Sequence, residues 1–362
     1  MDRSNNVLER WSIKDLTKEL TVKPPFQGIG KSLTAGHAAE GPIVALWAEG
    51  SDALVRCQFM SIDVATLKGK NFGTKGGRLH VSYRDAMHLR MAANGSVFGM
   101  WATSHSPQGL NSVRVRGDQL FGLNEHTSKG HVVPGPDGMH LFTGIGGVFT
   151  NELKSKSVSR RTHVPCIPTS HPNFYVTIPA EPGAQRNLGR DPFKGIKPTV
   201  NVVSSQSVLA ELPDLGLGPD GGNRSWSASD FSLDKRVHFH VQAGVLATVP
   251  FTNDKVLLKN VDLETLIRES ETDYFYIMST PTRTFVRGDR YEYQCNVLAR
   301  GGEKEFELAS GPDGMEVSAE GQLTWDVPDD YRESSVDVII NVGDGDGQTV
   351  YDTFTLHRVE KE

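Results

Sequence analysis

The sequence predicts an almost all-β chain in two parts, a series of small sheets over residues 1–270 and a sandwich over residues 273–360. Three observations lead there. Nearly every periodic segment alternates apolar and polar side chains with period two, as half-buried antiparallel strands do. Gly (37) and Pro (19) are more frequent in the 362 residues than in an average domain, which favours many turns. A strand-and-turn pattern recurs at a spacing close to that of a four-stranded propeller blade.

The strands come first. Val237-His238-Phe239-His240-Val241 alternates, as do Tyr291, Tyr293, Cys295 and Val297, and Val336, Val338, Ile340 and Val342. Helical signals are few: a short helix over 261–270 and a single helical turn near 85–91. Asn94-Gly95 separates strands at 87–92 and 97–101, and both residues tolerate the positive φ of a tight hairpin. Gly135-Pro136-Asp137-Gly138 joins 131–133 to 140–143, and Asn253-Asp254 joins 245–251 to 255–258.

The repeat is faint. Trp11 to Leu16 reads as a strand end followed by an apolar-x-Asp-apolar turn; Met60 to Val64 and Asn260 to Leu263 read alike. Taking Asp15 and Asp63 as equivalent gives a blade-like period. Blade cores then fall at 39–69, 86–123, 129–160, 163–213 and 235–269. The first twenty-odd residues form the outer half of a further blade. This is an incomplete or irregular β-propeller of about five to six blades; two unrelated β-sandwiches are the alternative. Residues 179–235 have loop composition and are expected at one rim.

An acidic junction at Glu269 to Asp273 ends this part. About seven short strands follow in 90 residues, the rhythm of an immunoglobulin-like sandwich, with Trp325 as the core plug. The ordered set Gly288 to Tyr293, Phe306-Glu307-Leu308, Gly311 to Met315, Gly321 to Trp325 and Val342 to Gly347 resembles the bacterial immunoglobulin-like, cadherin-like domains of the dystroglycan type. Residues 131–143 and 236–262 are similar, more loosely, to bacterial β-propellers of the tryptophan–aspartate-repeat or quinoprotein-like kind. Together the two resemblances suggest an arrangement found in large planctomycete-type surface proteins. They imply an extracytoplasmic or cell-surface setting.

Composition excludes several classes. The net charge of −6 argues against a nucleic-acid binder held by phosphate contacts. The longest apolar stretch, 42–48, is far below the ~20 residues that span a bilayer. No signal peptide is visible, and a start in mid-blade suggests a piece of a larger protein. Cys57, Cys166 and Cys295 form no disulfide framework or CxxC pair and read as small buried hydrophobes. Gly28 to Ser32 resembles the end of a phosphate-binding loop, but Pro25 stands where that loop needs a glycine amide.

Metal chemistry has two candidates. His238 and His240 share a strand face and would need a third ligand such as His163 or His171. Asp344 and Asp346, interleaved with glycines, suit either a tight Asp-Gly turn or a calcium site completed by Asp289 or by Glu271 and Asp273. The resemblance favours calcium as the ion; no other cofactor is expected. No catalytic residue is assigned, because no nucleophile motif such as GxSxG is present.

The expected function is a non-catalytic binding or scaffold module that presents propeller-rim loops and a sandwich to a protein or glycan. The alternatives are a propeller-type enzyme, hydrolase or lyase, with His131, His163, His238 or nearby acids converging in the central channel, or a calcium-stabilised adhesion module. Oligomeric state is not fixed by the sequence.

Overall fold

Period-two sequences of this kind bury one side of each strand and pair edge to edge, and the computed structural model of the chain is built almost wholly from such pairs. It describes residues 2, 5–26, 28–39, 41–49, 56–76, 87–103, 107, 109–145, 147–156, 164–179, 197–218, 233–270, 274–345 and 347–359. The chain divides into two compact units, Met1–Val261 and Asp262–Glu362.

The first unit begins with a hairpin, β1 (Leu8–Trp11) and β2 (Lys18–Val22). Blade 1 is the meander β3 (Ile29–Thr34), β4 (Ile43–Glu49), β5 (Arg56–Ile62) and β6 (Gly69–Asn71). Next comes β7 (Gly73–Gly76), which pairs in parallel with the last strand of blade 2. Blade 2 is β8 (Met87–Met91), β9 (Val97–Ala102), β10 (Leu110–Arg116) and β11 (Gln119–Glu125). Blade 3 is β12 (Val132–Pro134), β13 (His140–Thr143) and β14 (Val148–Thr150). Blade 4 is β15 (Cys166–Pro168), β16 (Phe174–Thr177), β17 (Thr199–Val202) and β18 (Val208–Glu211). Blade 5 is β19 (Val237–His240), β20 (Val245–Thr248) and β21 (Leu257–Asn260).

The order of packing makes these sheets a propeller. The first strands meet in sequence: β3 on β8, β8 on β12, β12 on β15, β15 on β19. Successive sheets from blade 1 to blade 4 share small cores. Val44, Leu46 and Phe59 of blade 1 meet Leu89, Phe98 and Met100 of blade 2. On the other face of blade 2, Val97, Trp101 and Leu110 meet Val132, Leu141 and Phe149 of blade 3. Phe142 and Val148 then meet Cys166 and Tyr175 of blade 4. The β1–β2 hairpin covers the first face of blade 1 through Leu8, Leu20 and Val22. Turns after the first strands also link blades: Ala38 N donates to Ala93 O, Asn94 N to Pro136 O, and Ser170 N to Phe239 O within β19.

The repeat read from the sequence is a real turn, in a different frame. Ser12 N donates to Thr17 O, Asp63 N to Lys68 O and Val202 N to Ser207 O, and Leu16, Leu67 and Gln206 take φ of 54°, 55° and 58° at the same place in each. Ser12, not Asp15, is therefore the counterpart of Asp63. Two further differences concern strands. Residues 87–91 form β8 rather than a helical turn. Blade 1 starts at Ile29 rather than 39, because β3 carries a bulge between Gly30 and Ser32 that breaks its alternation.

The second unit opens with α1 (Leu263–Glu269), capped by Asp262, whose carboxylate accepts from Thr265 N. It continues with β22 (Phe275–Ile277), β23 (Thr284–Phe285), β24 (Arg290–Gln294), β25 (Val297–Ala299), β26 (Glu305–Ser310), β27 (Met315–Val317), β28 (Gln322–Asp326), β29 (Ser335–Gly343) and β30 (Thr349–Arg358). One sheet has the order β23-β30-β29-β26 and the other β24-β28-β27, with β22–β25 as a small third pair. The facing side chains close into one core: Tyr291, Tyr293, Leu323 and Trp325 against Val338, Ile340, Phe354 and Leu356. This is a β-sandwich. Trp325 lies in its centre, against Phe285 (5.1 Å) and Tyr331 (5.0 Å).

Candidate functional site

Polar groups converge on the inner edges of four blades. On β8, Met87 and Leu89 point into the core shared with blade 1, so the pleat turns His88 and Arg90 to the opposite side. There the Arg90 guanidinium lies 5.6 Å from the Trp101 ring centre, and His88 stacks on the same ring at 5.1 Å. His88 Nε2 is 3.4 Å from Thr103 Oγ1.

Arg90 Nε donates to Asp234 Oδ2 at 2.8 Å. Asp234 belongs to a 3-10 turn, Leu233–Lys235, that leads into blade 5, and its side chain is only 1% exposed. Arg90 Nη1 donates to Leu89 O, while Nη2 is buried without a partner among the described residues. His131, just before β12 in blade 3, is fully buried, and its Nε2 donates to Cys166 O of blade 4 at 2.9 Å. A carbonyl only accepts, so that nitrogen carries the proton. Burial pushes the His131 pKa below its ordinary value. The Asp234 charge and the Cys166 carbonyl oppose that shift, and Arg90 adds to it.

A carboxylate, an imidazole and a guanidinium together are the raw material of acid–base chemistry. Here each is engaged by another group of the fold: the carboxylate by Arg90, the imidazole N–H by a backbone carbonyl. Burial pushes the Cys166 thiol up to about 12, far from a thiolate at neutral pH.

Blade 5 supplies a second feature. Its two faces differ. Val237, Phe239, Leu246 and Thr248 are buried on one face. Across the register His238 lies beside Ala247 and Leu258, and His240 beside Val245 and Asn260. Both histidines are exposed, as are Val256 (61%) and Leu258 (69%). At the other end of the series, the tip of the β1–β2 hairpin exposes Trp11, Ile13 (92%) and Leu16. Lys18 lies over the Trp11 ring and pairs with Glu9.

The residues anticipated from the sequence are mostly apart. Of the histidines named for a channel, His131 reaches the axial cluster, His238 lies on the open face, and His163 falls outside the described residues. His240 Nδ1 accepts from Ala243 N, which places the ring proton on Nε2 and opposes ligation through that atom. His171 is buried in the β15–β16 turn, where its Nδ1 accepts from Asn173 N. Asp344 Oδ1 accepts from Gln348 N within the β29–β30 turn. Asp289 lies beyond the other end of these strands, next to β23, which pairs with His357 and Arg358. The fold does not bring Asp289 and Asp344 together. Asp346, Glu271 and Asp273 fall outside the described residues. Among the described residues no group of three His, Cys, Asp or Glu side chains could hold a metal ion. Cys295 is buried, and the Cys57 side chain is outside the description. Arg90, His88 and Asp234 were not singled out by sequence. The legible signal was a polar pair, His88 and Arg90, alternating with Met87, Leu89 and Met91 beside a hairpin.

No family model matches the chain, and no curated protein matches it. Among solved structures it is similar to an oligogalacturonate lyase from Vibrio parahaemolyticus, with 12% identity over 70% of this chain and 71% of that one, at a TM-score of 0.42. It is also similar to Sqt1 from Chaetomium thermophilum (10% identity, 91% and 72% covered, TM-score 0.36). A third likeness is to the β-propeller domain of the trilobed protease from Pyrococcus furiosus, described as having an open velcro topology (7% identity, 90% and 98% covered, TM-score 0.36). The propeller assignment rests on this chain's own strand pairing. Among the described residues no helix is long and apolar enough to cross a membrane.

Proposed function

We propose that the chain is a non-catalytic protein-binding module whose docking surface is the open face of blade 5. The observation that supports this most directly is the contrast on that sheet: one face is buried, while the other leaves Val256 and Leu258 in solvent. A cluster of exposed apolar side chains on a regular strand face favours a protein partner. In this reading the hairpin tip with Trp11 and Ile13 is a second contact, and the sandwich is an immunoglobulin-like display domain. A glycan partner has less support, because the exposed large apolar side chains on that face are aliphatic.

One observation favours an enzyme instead: His131 lies within electrostatic reach of the Arg90–Asp234 pair. Their mutual engagement and burial weigh against it. A photo-crosslinking residue at position 256 of the full chain tests both readings. The binding reading expects a discrete partner whose adduct disappears when Leu258→Lys is added. An adduct indifferent to Leu258→Lys, or a hydrolase or lyase turnover that Asp234→Asn abolishes, would overturn it.

A further inference from the structure

Propellers commonly close by completing the last blade with a strand from the other end of the chain, which removes the free edges. Blade 5 has three strands among the described residues, and β1 and β2 pair only with each other there. Its far face is open. Among the described residues no strand is shared between blade 5 and the start of the chain.

A different contact reaches it. Blades 1 to 5 touch in chain order, each through the first strand of the next. The Arg90–Asp234 contact departs from that order by joining β8 of blade 2 to the turn that opens blade 5. The carboxylate is almost completely excluded from water. His131 of blade 3 lies close enough to feel its charge and is itself tied to Cys166 of blade 4. Taking a charged partner away from a buried carboxylate is strongly unfavourable, so this contact resists separation of blades 2 and 5 far more than an exposed ion pair would.

We infer that the Arg90–Asp234 pair is an axial latch, holding blade 5 to the inner edge of blade 2. The rim hydrogen bonds join blade 1 to 2, 2 to 3 and 4 to 5, all neighbours, and the latch crosses between blades that are not neighbours. Releasing it would loosen β19–β21 as a group and leave the blade 1–4 stack intact. The latch does not depend on the binding role proposed for the open face.

Hydrogen exchange on the full chain, read by peptide, tests this. Arg90→Met removes the cation from blade 2 while keeping an apolar stem over Trp101. The latch predicts at least tenfold faster exchange in residues 237–260, a segment far from the substitution in sequence. Residues 87–91 and 97–102, at the substitution itself, should stay within about twofold. Arg90→Lys, which preserves the charge, should recover part of the protection and serves if Arg90→Met does not fold. Faster exchange centred on blade 2, or equal acceleration in all blades, would show an ordinary core contact and overturn the latch. So would unchanged exchange in blade 5.

Discussion

The two units solve the same burial problem in different ways. The sandwich has one core, in which side chains of both sheets surround Trp325. The propeller has a run of small cores, each shared by two successive sheets. A single core makes every strand depend on its centre. A series of shared cores spreads the dependence along the chain and leaves its two ends underpacked, as the exposed side chains of blade 5 and the β1–β2 tip show.

Trp325→Ala is the strongest test of that contrast. It removes the side chain that touches Phe285 across the sandwich and Tyr331 beside it. The expected loss is about 3–5 kcal/mol, confined to the second unit. Urea unfolding followed by a probe in each unit would check it. A matching loss in the propeller would break the comparison, because the two cores would then be coupled.

Gly99→Ala makes the corresponding perturbation at a blade junction and has a smaller effect. A Cβ on Gly99 would stand 2.1 Å from Val132 O, a backbone atom of β12 that cannot rotate away. Overpacking of this sort costs roughly 1–3 kcal/mol. The loosening should be read at blades 2 and 3 by hydrogen exchange, with blade 1 and the sandwich unchanged. Loss of all blades together would mean that the propeller behaves as one core after all.

What the sequence disclosed follows the same division. Period two, the Asn94-Gly95 and Pro-Asp-Gly turns and Trp325 were legible because each is local: a strand face, a hairpin or a large apolar residue on an alternating strand. Asp262 was legible within a turn-like motif and proves to be a helix cap, since the chain after it runs on as α1. The β3 strand was hidden because a bulge spoils its alternation. The repeat was placed on Asp15 because aspartate is conspicuous, whereas the shared property is a positive φ at Leu16 and Leu67, which leucine does not advertise. Asp234 was illegible for a further reason. Nothing near it in sequence announces a counter-charge in blade 2, and long-range pairs leave no periodic trace.

The finest separation of the two units comes from pH, because each buries an ionisable group whose shift runs opposite to that of the other. In the propeller, burial lowers the His131 pKa. Below the ordinary histidine value of about 6.5 the unfolded chain takes up a proton that the folded unit refuses, so stability falls as pH falls through that value. His140 is also lowered by burial and adds to the slope. In the sandwich, burial raises the Asp352 pKa, against the opposing hydrogen bond from Tyr293 Oη at 2.6 Å. There the folded unit keeps a proton that the unfolded chain has already lost, so stability rises as pH falls towards the ordinary carboxylate range. Between pH 7 and pH 5 the propeller transition should move down in temperature, while the sandwich transition should hold or move up. His131→Gln should flatten the first slope and Asp352→Asn the second. If both transitions move down together and Asp352→Asn leaves the second slope unchanged, the sandwich does not bury a charge-averse carboxylate. The difference between the units would then lie in packing alone.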